Sequence, residues 1–285
     1  MIDRLLPAER LLYSGATTCA GTFECHPGDP LFHAESPSTA HCLVFSRTPV
    51  WIRHERGMRY VADPTVATFH NRGRVYQRWA IAREGDRCDW IAYADDLVAD
   101  AVSRFRPGRR GRDPLWFPAE FSRVSSRVYA RQRRFFERLH AATIDSLGVE
   151  EEALLLLDQA LAAAAAPVAA AASPRHFDAV QHARAVIASA PDASPSLRML
   201  ARCAGTTPFH LCRAFSRVFG ETMTTYRTRL RLLASLERVR AGDPLTDIAL
   251  SQGFSSHSHF TASFRAAFGM TPRAWRARAG GWRRT

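Results

Sequence analysis

The residues best equipped for chemistry lie near the carboxyl end, and their chemistry is hydrogen-bond donation rather than bond making. Phe209, His210, Cys212, Arg213, Ser216 and Arg217 fall on the flanks and outer side of one apolar stripe. His257, Ser258, Thr261, Ala262 and Arg265 fall outside a second. Both faces are rich in donors and short polar groups and nearly free of carboxylates. Such a face suits a helix laid in the major groove of DNA, where Arg reads guanine and Ser or Thr reads several base edges. Any small α-domain also presents capped helices with polar faces, and a single short motif carries a real false-positive risk. Two copies at matched spacing carry far less.

The elements that must position these side chains form one pattern written twice between Ser196 and Trp275. The first copy runs Leu197, Leu200, Ala201, Ala204-Gly205, Thr207-Pro208, Leu211, Phe215, Phe219-Gly220. The second runs Leu245, Ile248, Ala249, Gln252-Gly253, Ser255 or Ser256, Phe260, Phe264, Phe268-Gly269. Each is an apolar stripe at i, i+3, i+4, i+7, a glycine stop, a hydroxyl cap and a second stripe ending in Phe-Gly. That is a helix-turn-helix, twice over. Gly205 and Gly253 suit the left-handed helix exit. Thr207 offers an oxygen to free amides, and Pro208 stands at the first helical position, where its missing N–H costs little. Thr222 to Ala241 reads as the long helix joining the copies, ended by Gly242-Asp243-Pro244. Its stiffness sets the reading helices one DNA turn apart, ~34 Å.

On these residues the sequence resembles the AraC/XylS family of transcription regulators. The resemblance rests on Leu200-Ala201, Gly205, Leu211, Arg213, Phe215, Phe219-Gly220, Tyr226, Arg229, Arg231, Asp247-Ile248-Ala249, Gly253-Phe254, Ser258, Phe260, Phe264, Phe268-Gly269 and Thr271-Pro272. It implies base contacts from Phe209, Cys212, Arg213, His257, Ser258 and Thr261; His210, on the same outer face, joins them as a candidate. Arg217, Arg229, Arg231 and Arg265 are the candidate phosphate contacts. Ala262 stands where some relatives place a long basic or polar reader, and Cys212 occupies another reading position, which leaves the base preference open.

Charge follows the same division. The chain has 285 residues and a formal net charge of +12. Residues 173–285 hold 17 Arg against 6 acidic residues, whereas residues 1–172 hold 22 Arg against 21. Nearly all the excess therefore sits on the repeated motifs, as a polyanion partner requires. All 39 basic residues are Arg, a bias of codon composition more than of physics. An apolar fraction of 46% supports ordinary packed cores, and the length allows two domains. No run is apolar and long enough for a membrane span, and Met1-Ile2-Asp3-Arg4 opens no signal peptide, so a cytoplasmic protein is expected.

Upstream the grammar changes. After an unplaced lead-in over residues 1–18 come short apolar runs: Cys19–Cys25, His41–Ser46, Val50–His54, Val66–His70, Val75–Ile81 and Cys88–Tyr93. Pro27-Gly28-Asp29-Pro30, Asp63-Pro64 and Glu84-Gly85-Asp86 punctuate them. This spacing predicts a β-barrel or sandwich, and the resemblance implies a cupin-like barrel that binds a small effector. Pro118 to Leu147 shifts to a helical period, with Gly148 as its stop, and Glu150 to Ala166 follows as a second helix. The pair either dimerises the protein or covers the barrel.

The expected fold class is thus α+β. A cupin-like sensor domain occupies residues 1–118, a helical hairpin 119–166, a linker 167–174, and an all-α double helix-turn-helix domain 175–285. The expected function is a sequence-specific regulator, an activator, with double-stranded DNA, RNA polymerase, a second copy of the chain and a small-molecule effector as partners. The rival reading is a metal-binding cupin-type enzyme fused to a DNA-binding module. It would need a convergent set of metal ligands in the barrel; a metal or redox sensor would draw first on Cys25, His26, His41 and Cys42, but no pair has the spacing of a zinc site. No phosphate loop or nucleophile elbow is present, and Asp95-Asp96 is a paired acid that a strand-end turn explains as well as catalysis does. No catalytic residue, metal or cofactor is expected.

Overall fold

The structure is a computed structural model that describes residues 6–55, 57–105, 117–165 and 173–280. It divides into two compact units, Met1–Val124 with Gln132–Pro167, and Ser125–Arg131 with Val168–Thr285.

The first unit is built on two antiparallel sheets. Its strands are β1 (Glu9–Ser14), β2 (Thr18–Cys25), β3 (Ser36–Pro37), β4 (His41–Ser46), β5 (Val50–His54), β6 (Tyr60–Ala62), β7 (Val66–His70), β8 (Val75–Ala80), β9 (Asp86–Tyr93) and β10 (Phe121–Arg123). One sheet has the order β1-β2-β9-β4-β7-β10, the other β3-β8-β5-β6. The turn-punctuated apolar runs therefore do become strands, in two sheets. Side chains alternate across a strand. Cys42, Val44 and Ser46 of β4, with Asp86, Cys88 and Trp90 of β9, line a cavity that Ile52 of β5 and Tyr76 and Arg78 of β8 close from the other sheet. The Trp90 indole lies over Gly21 of β2, where any Cβ would collide with it.

Three segments depart from expectation. The lead-in contains β1, an edge strand without clean alternation of burial. Asp95-Asp96 is not a strand-end turn but the acidic first turn of α1 (Asp95–Phe105), where the helix dipole favours carboxylates. The helix expected over Pro118–Leu147 is instead β10 followed by α2 (Ser126–His140). Gly148 is not a stop: it lies inside α3 (Ser146–Ala165), and its N–H donates to Asp145 Oδ1 at 2.9 Å in the helix's first turn. The linker expected over 167–174 falls outside the described residues apart from Ser173 and Pro174, which cap and begin the next helix.

The second unit is helical: α4 (Pro174–Ser189), α5 (Leu197–Cys203), α6 (Pro208–Phe219), α7 (Met223–Ala241), α8 (Leu245–Ser251), α9 (His257–Phe268) and α10 (Pro272–Gly280). The two copies form as read. Ser196, Thr207 and Ser256 cap α5, α6 and α9 through the backbone N–H of Met199, His210 and His259. Leu211, Phe215 and Phe219 are buried in the first copy, Phe260, Phe264 and Phe268 in the second. Each buried phenyl contributes roughly 1.5–3 kcal/mol of apolar burial. Phe264 and Phe268 have ring centroids 4.4 Å apart, and Trp275 of α10 packs on both. In the first copy Tyr226 of α7 meets Phe215 and Phe219. The guanidinium of Arg184 from α4 stacks on Phe219 at 4.2 Å.

Candidate nucleic-acid interface

With its apolar stripe sunk in the core, α6 turns Phe209, His210, Cys212, Arg213, Ser216 and Arg217 outward, all of them exposed. Phe209 is 65% exposed. The Arg213 guanidinium lies 5.5 Å from its ring centroid. That cation–π contact limits the conformations of Arg213 before any partner arrives and lowers the ordering cost of binding. On α9, His257, Ser258 and Arg265 are exposed, and Thr261 is half-buried. The Thr261 hydroxyl oxygen is shielded and has no hydrogen-bond partner among the described residues. The candidate base readers thus lie on two helix faces, one per motif.

Two of the four expected phosphate contacts are corrected by their surroundings. Arg217 and Arg265 are exposed, as a phosphate contact requires. Arg231 is only 6% exposed. Its guanidinium donates to the carbonyls of Pro191 (2.6 Å), Asp192 (2.9 Å), Ala193 (3.1 Å) and Gly253 (2.7 Å). Those groups take four of its five N–H donors, so Arg231 serves as a clamp inside the fold rather than as a free surface cation. It binds the loop before α5 to the turn of the second motif, with α7 as the base. Arg229 is likewise engaged: its Nη2 stands 2.6 Å from Glu221 Oε1, both side chains being largely buried. No sequence signal marked these two, because a basic residue on a long helix ordinarily faces water. The retrospective clue is that Leu230, Leu232 and Leu233, all buried, surround Arg231.

The first unit carries a second cluster that the motifs did not reveal. The cavity between its sheets measures about 70 Å³, several times the ~10–15 Å³ that one water needs. Arg78 and Asp86 form a buried ion pair there at 3.0 Å, and Arg78 Nη2 donates to the Tyr76 hydroxyl at 3.1 Å. Burial opposes the Arg78 charge, but Tyr76 and Asp86 outweigh it and raise the Arg78 pKa. Burial lifts the Asp86 carboxyl despite Arg78, and pushes both Tyr76 and the Cys42 thiol up to about 12. Burial likewise holds the His70 imidazole well below its ordinary value, so it is neutral. His70 Nδ1, Arg78 Nε and Trp90 Nε1 are shielded and unpartnered among the described residues. A charged residue at an inward alternation position, Arg78 two places after Tyr76, was the available clue.

The four metal candidates do not converge. Cys25 is buried at the end of β2, beside exposed His26, whose Nδ1 accepts from Gly28 N–H. Cys42 faces the cavity. His41, its neighbour in β4, points to the opposite side, toward Asn71 and the Phe117 ring. Among the described residues no three His, Cys, Asp or Glu side chains form a metal-sized group, and no helix is long and apolar enough to cross a membrane.

Comparison with known proteins falls on the same region. A family described as a helix-turn-helix domain matches residues 200–278. The transcriptional activator RhaS of Pectobacterium carotovorum is 39% identical over 70 residues, which is 24% of this chain and 25% of RhaS. The right origin-binding protein of Escherichia coli is 37% identical over 82 residues, 28% of each chain. A crystal structure from Chromobacterium violaceum, described as a transcriptional regulator with an AraC-type DNA-binding domain, is 26% identical with a TM-score of 0.34. That likeness covers 35% of this chain and 91% of the other. The chain thus spans about a quarter of the length of these curated relatives.

Proposed function

We propose that this chain, in which residues 200–278 form an AraC-type helix-turn-helix domain, is a sequence-specific transcription regulator, an activator, that binds double-stranded DNA. The observation that carries the reading is the pair of exposed faces on α6 and α9. Both are free of carboxylates, and both are held by one helix and one buried clamp. Arg213 reads a base by bidentate donation to guanine; Phe209, His210, Cys212, His257, Ser258 and Thr261 line the grooves. Arg217 and Arg265 take phosphates. RNA polymerase and a second copy of the chain complete the assembly, and the protein works in the cytoplasm.

The cavity of the first unit is the proposed effector site. Its polar lining of His70, Tyr76, Arg78 and Asp86 suits a small polar ligand, while Phe23, Val44 and Ile52 suit its apolar side. Such a ligand regulates only if it binds two states of the protein unequally.

Selection of bound duplexes from random DNA by the full-length chain tests the reading. The full chain is needed because residues 125–131 belong to the DNA-binding unit. The expected product is a bipartite site with halves one helical turn apart. Recovery of unenriched sequences would defeat the claim of sequence specificity.

A further inference from the structure

We infer that Arg127, which precedes the first motif by some seventy residues in the chain, is a DNA-backbone contact of the second reading helix. The inference rests on the proposed DNA-binding function.

Residues 125–131 belong with the helical unit. Tyr129 and Ala130 are 5% and 2% exposed and share one core with Leu233, Phe260, Phe264, Phe268 and Trp275. That anchorage fixes the backbone of Arg127, whose own side chain is exposed. Its Nη2 lies 3.6 Å from the place a Cβ on Gly269 would occupy, at the carboxyl end of α9. With His257, Ser258, Thr261, Arg265 and Thr271 it lines an open hollow of about 770 Å³ beside the reading face of α9.

Two features of the hollow point to an anion. No carboxylate lines it, and Arg127 has neither ion pair nor hydrogen-bond partner among the described residues. A cation at a helix carboxyl end also has a purely structural use, because the helix dipole favours it there. That use predicts a change in stability without a change in DNA binding, so the two are separable. The occupant that matches Arg127 and Arg265, which line the hollow together, is the phosphate backbone bordering the groove that α9 enters.

The test uses the full-length chain, the variants Arg127→Ala, Arg127→Glu and Arg265→Ala, and random-sequence duplex DNA across a salt series. Arg127→Ala is expected to weaken binding roughly three- to tenfold on every duplex and to make the log-affinity against log-salt slope shallower by about 0.9, as loss of one phosphate contact requires. Arg127→Glu weakens binding further. If Arg127→Ala and Arg127→Glu bind as the wild type does while Arg265→Ala is weakened, the inference falls alone, and a lowered melting temperature then assigns Arg127 to the helix dipole. Tighter binding by Arg127→Ala also overturns it, making Arg127 an obstruction. If the wild-type chain retains no duplex at all, the DNA-binding reading fails and this inference fails with it.

Discussion

In the first motif the stop glycine Gly205 stands at φ +61° and the exit glycine Gly220 at +71°; in the second, Gly253 and Gly269 stand at +71° and +75°. Both recognition helices run twelve residues and start from a hydroxyl cap. The backbones are two castings of one form. Their outer faces are not: on α6 the Arg213 guanidinium leans on the exposed Phe209 ring, whereas the α9 face carries His257, Ser258 and Arg265. The difference teaches that burial and capping specify how a reading helix is held, whereas the remaining positions are free to specify what it touches.

The largest expected effect tests what joins the two castings. Arg231→Ala strands four carbonyls and releases the loop before α5 from the second turn, which should cost about 3 kcal/mol in urea denaturation. A loss near that of an ordinary surface arginine would show the motifs to be independent. Next come the paired glycines. A Cβ on Gly253 would meet Arg231 Nη2 and the Asp192 carbonyl, each at 2.8 Å, whereas one on Gly205 would meet nothing within 4 Å. Both positions strain an L side chain, so Gly205→Ala should cost about 1–2 kcal/mol. Gly253→Ala should cost more than its partner, and equal melting temperatures would contradict the contact.

The comparison of faces is sharpened by binding. Arg213→Ala should lose about 1–3 kcal/mol on the selected site and relax specificity at one base pair. Ser258→Ala on α9 should lose less, since one hydroxyl makes a single bond. A uniform loss across all sequences for Arg213→Ala would make it a phosphate contact instead. The smallest effect concerns the helices that precede the reading helices. Ser196 caps α5, but Pro244 at the start of α8 makes no side-chain cap. Ser196→Ala should therefore cost about 1 kcal/mol and Pro244→Ala far less, measured by the same thermal melts.

Legibility in the sequence tracked the strength of local punctuation. Between Ser196 and Trp275 a 3.6-residue period, glycine stops and hydroxyl caps agree with one another, so elements and faces were readable. Upstream, signals conflicted. Phe121 and Val124 happen to fall in phase with Val128, which disguised a three-residue strand as a helix. Gly148 reads as a stop when taken alone, but Asp145 three residues earlier is the capping signal that sets it in the first turn of α3. Asp95-Asp96 begins a helix for the same electrostatic reason that acidic pairs close turns, and only the following contacts decide. The candidate readers were visible as outward positions of a buried stripe. Arg231 and the Arg78–Asp86 pair were not, since a buried charge is identified by partners distant in the chain.

Strand β9 has a consequence of its own. Asp86, Cys88 and Trp90 look into the cavity. On its opposite side Asp89, fully buried, accepts from Gln132 Nε2 at 2.7 Å and pairs with Arg133, both on α2, while the Tyr93 hydroxyl donates to the Ala153 carbonyl of α3. A guest entering the cavity and the helices behind it therefore lean on one ribbon from opposite sides. A displacement of Trp90 would act one residue away from the buried Asp89 carboxylate.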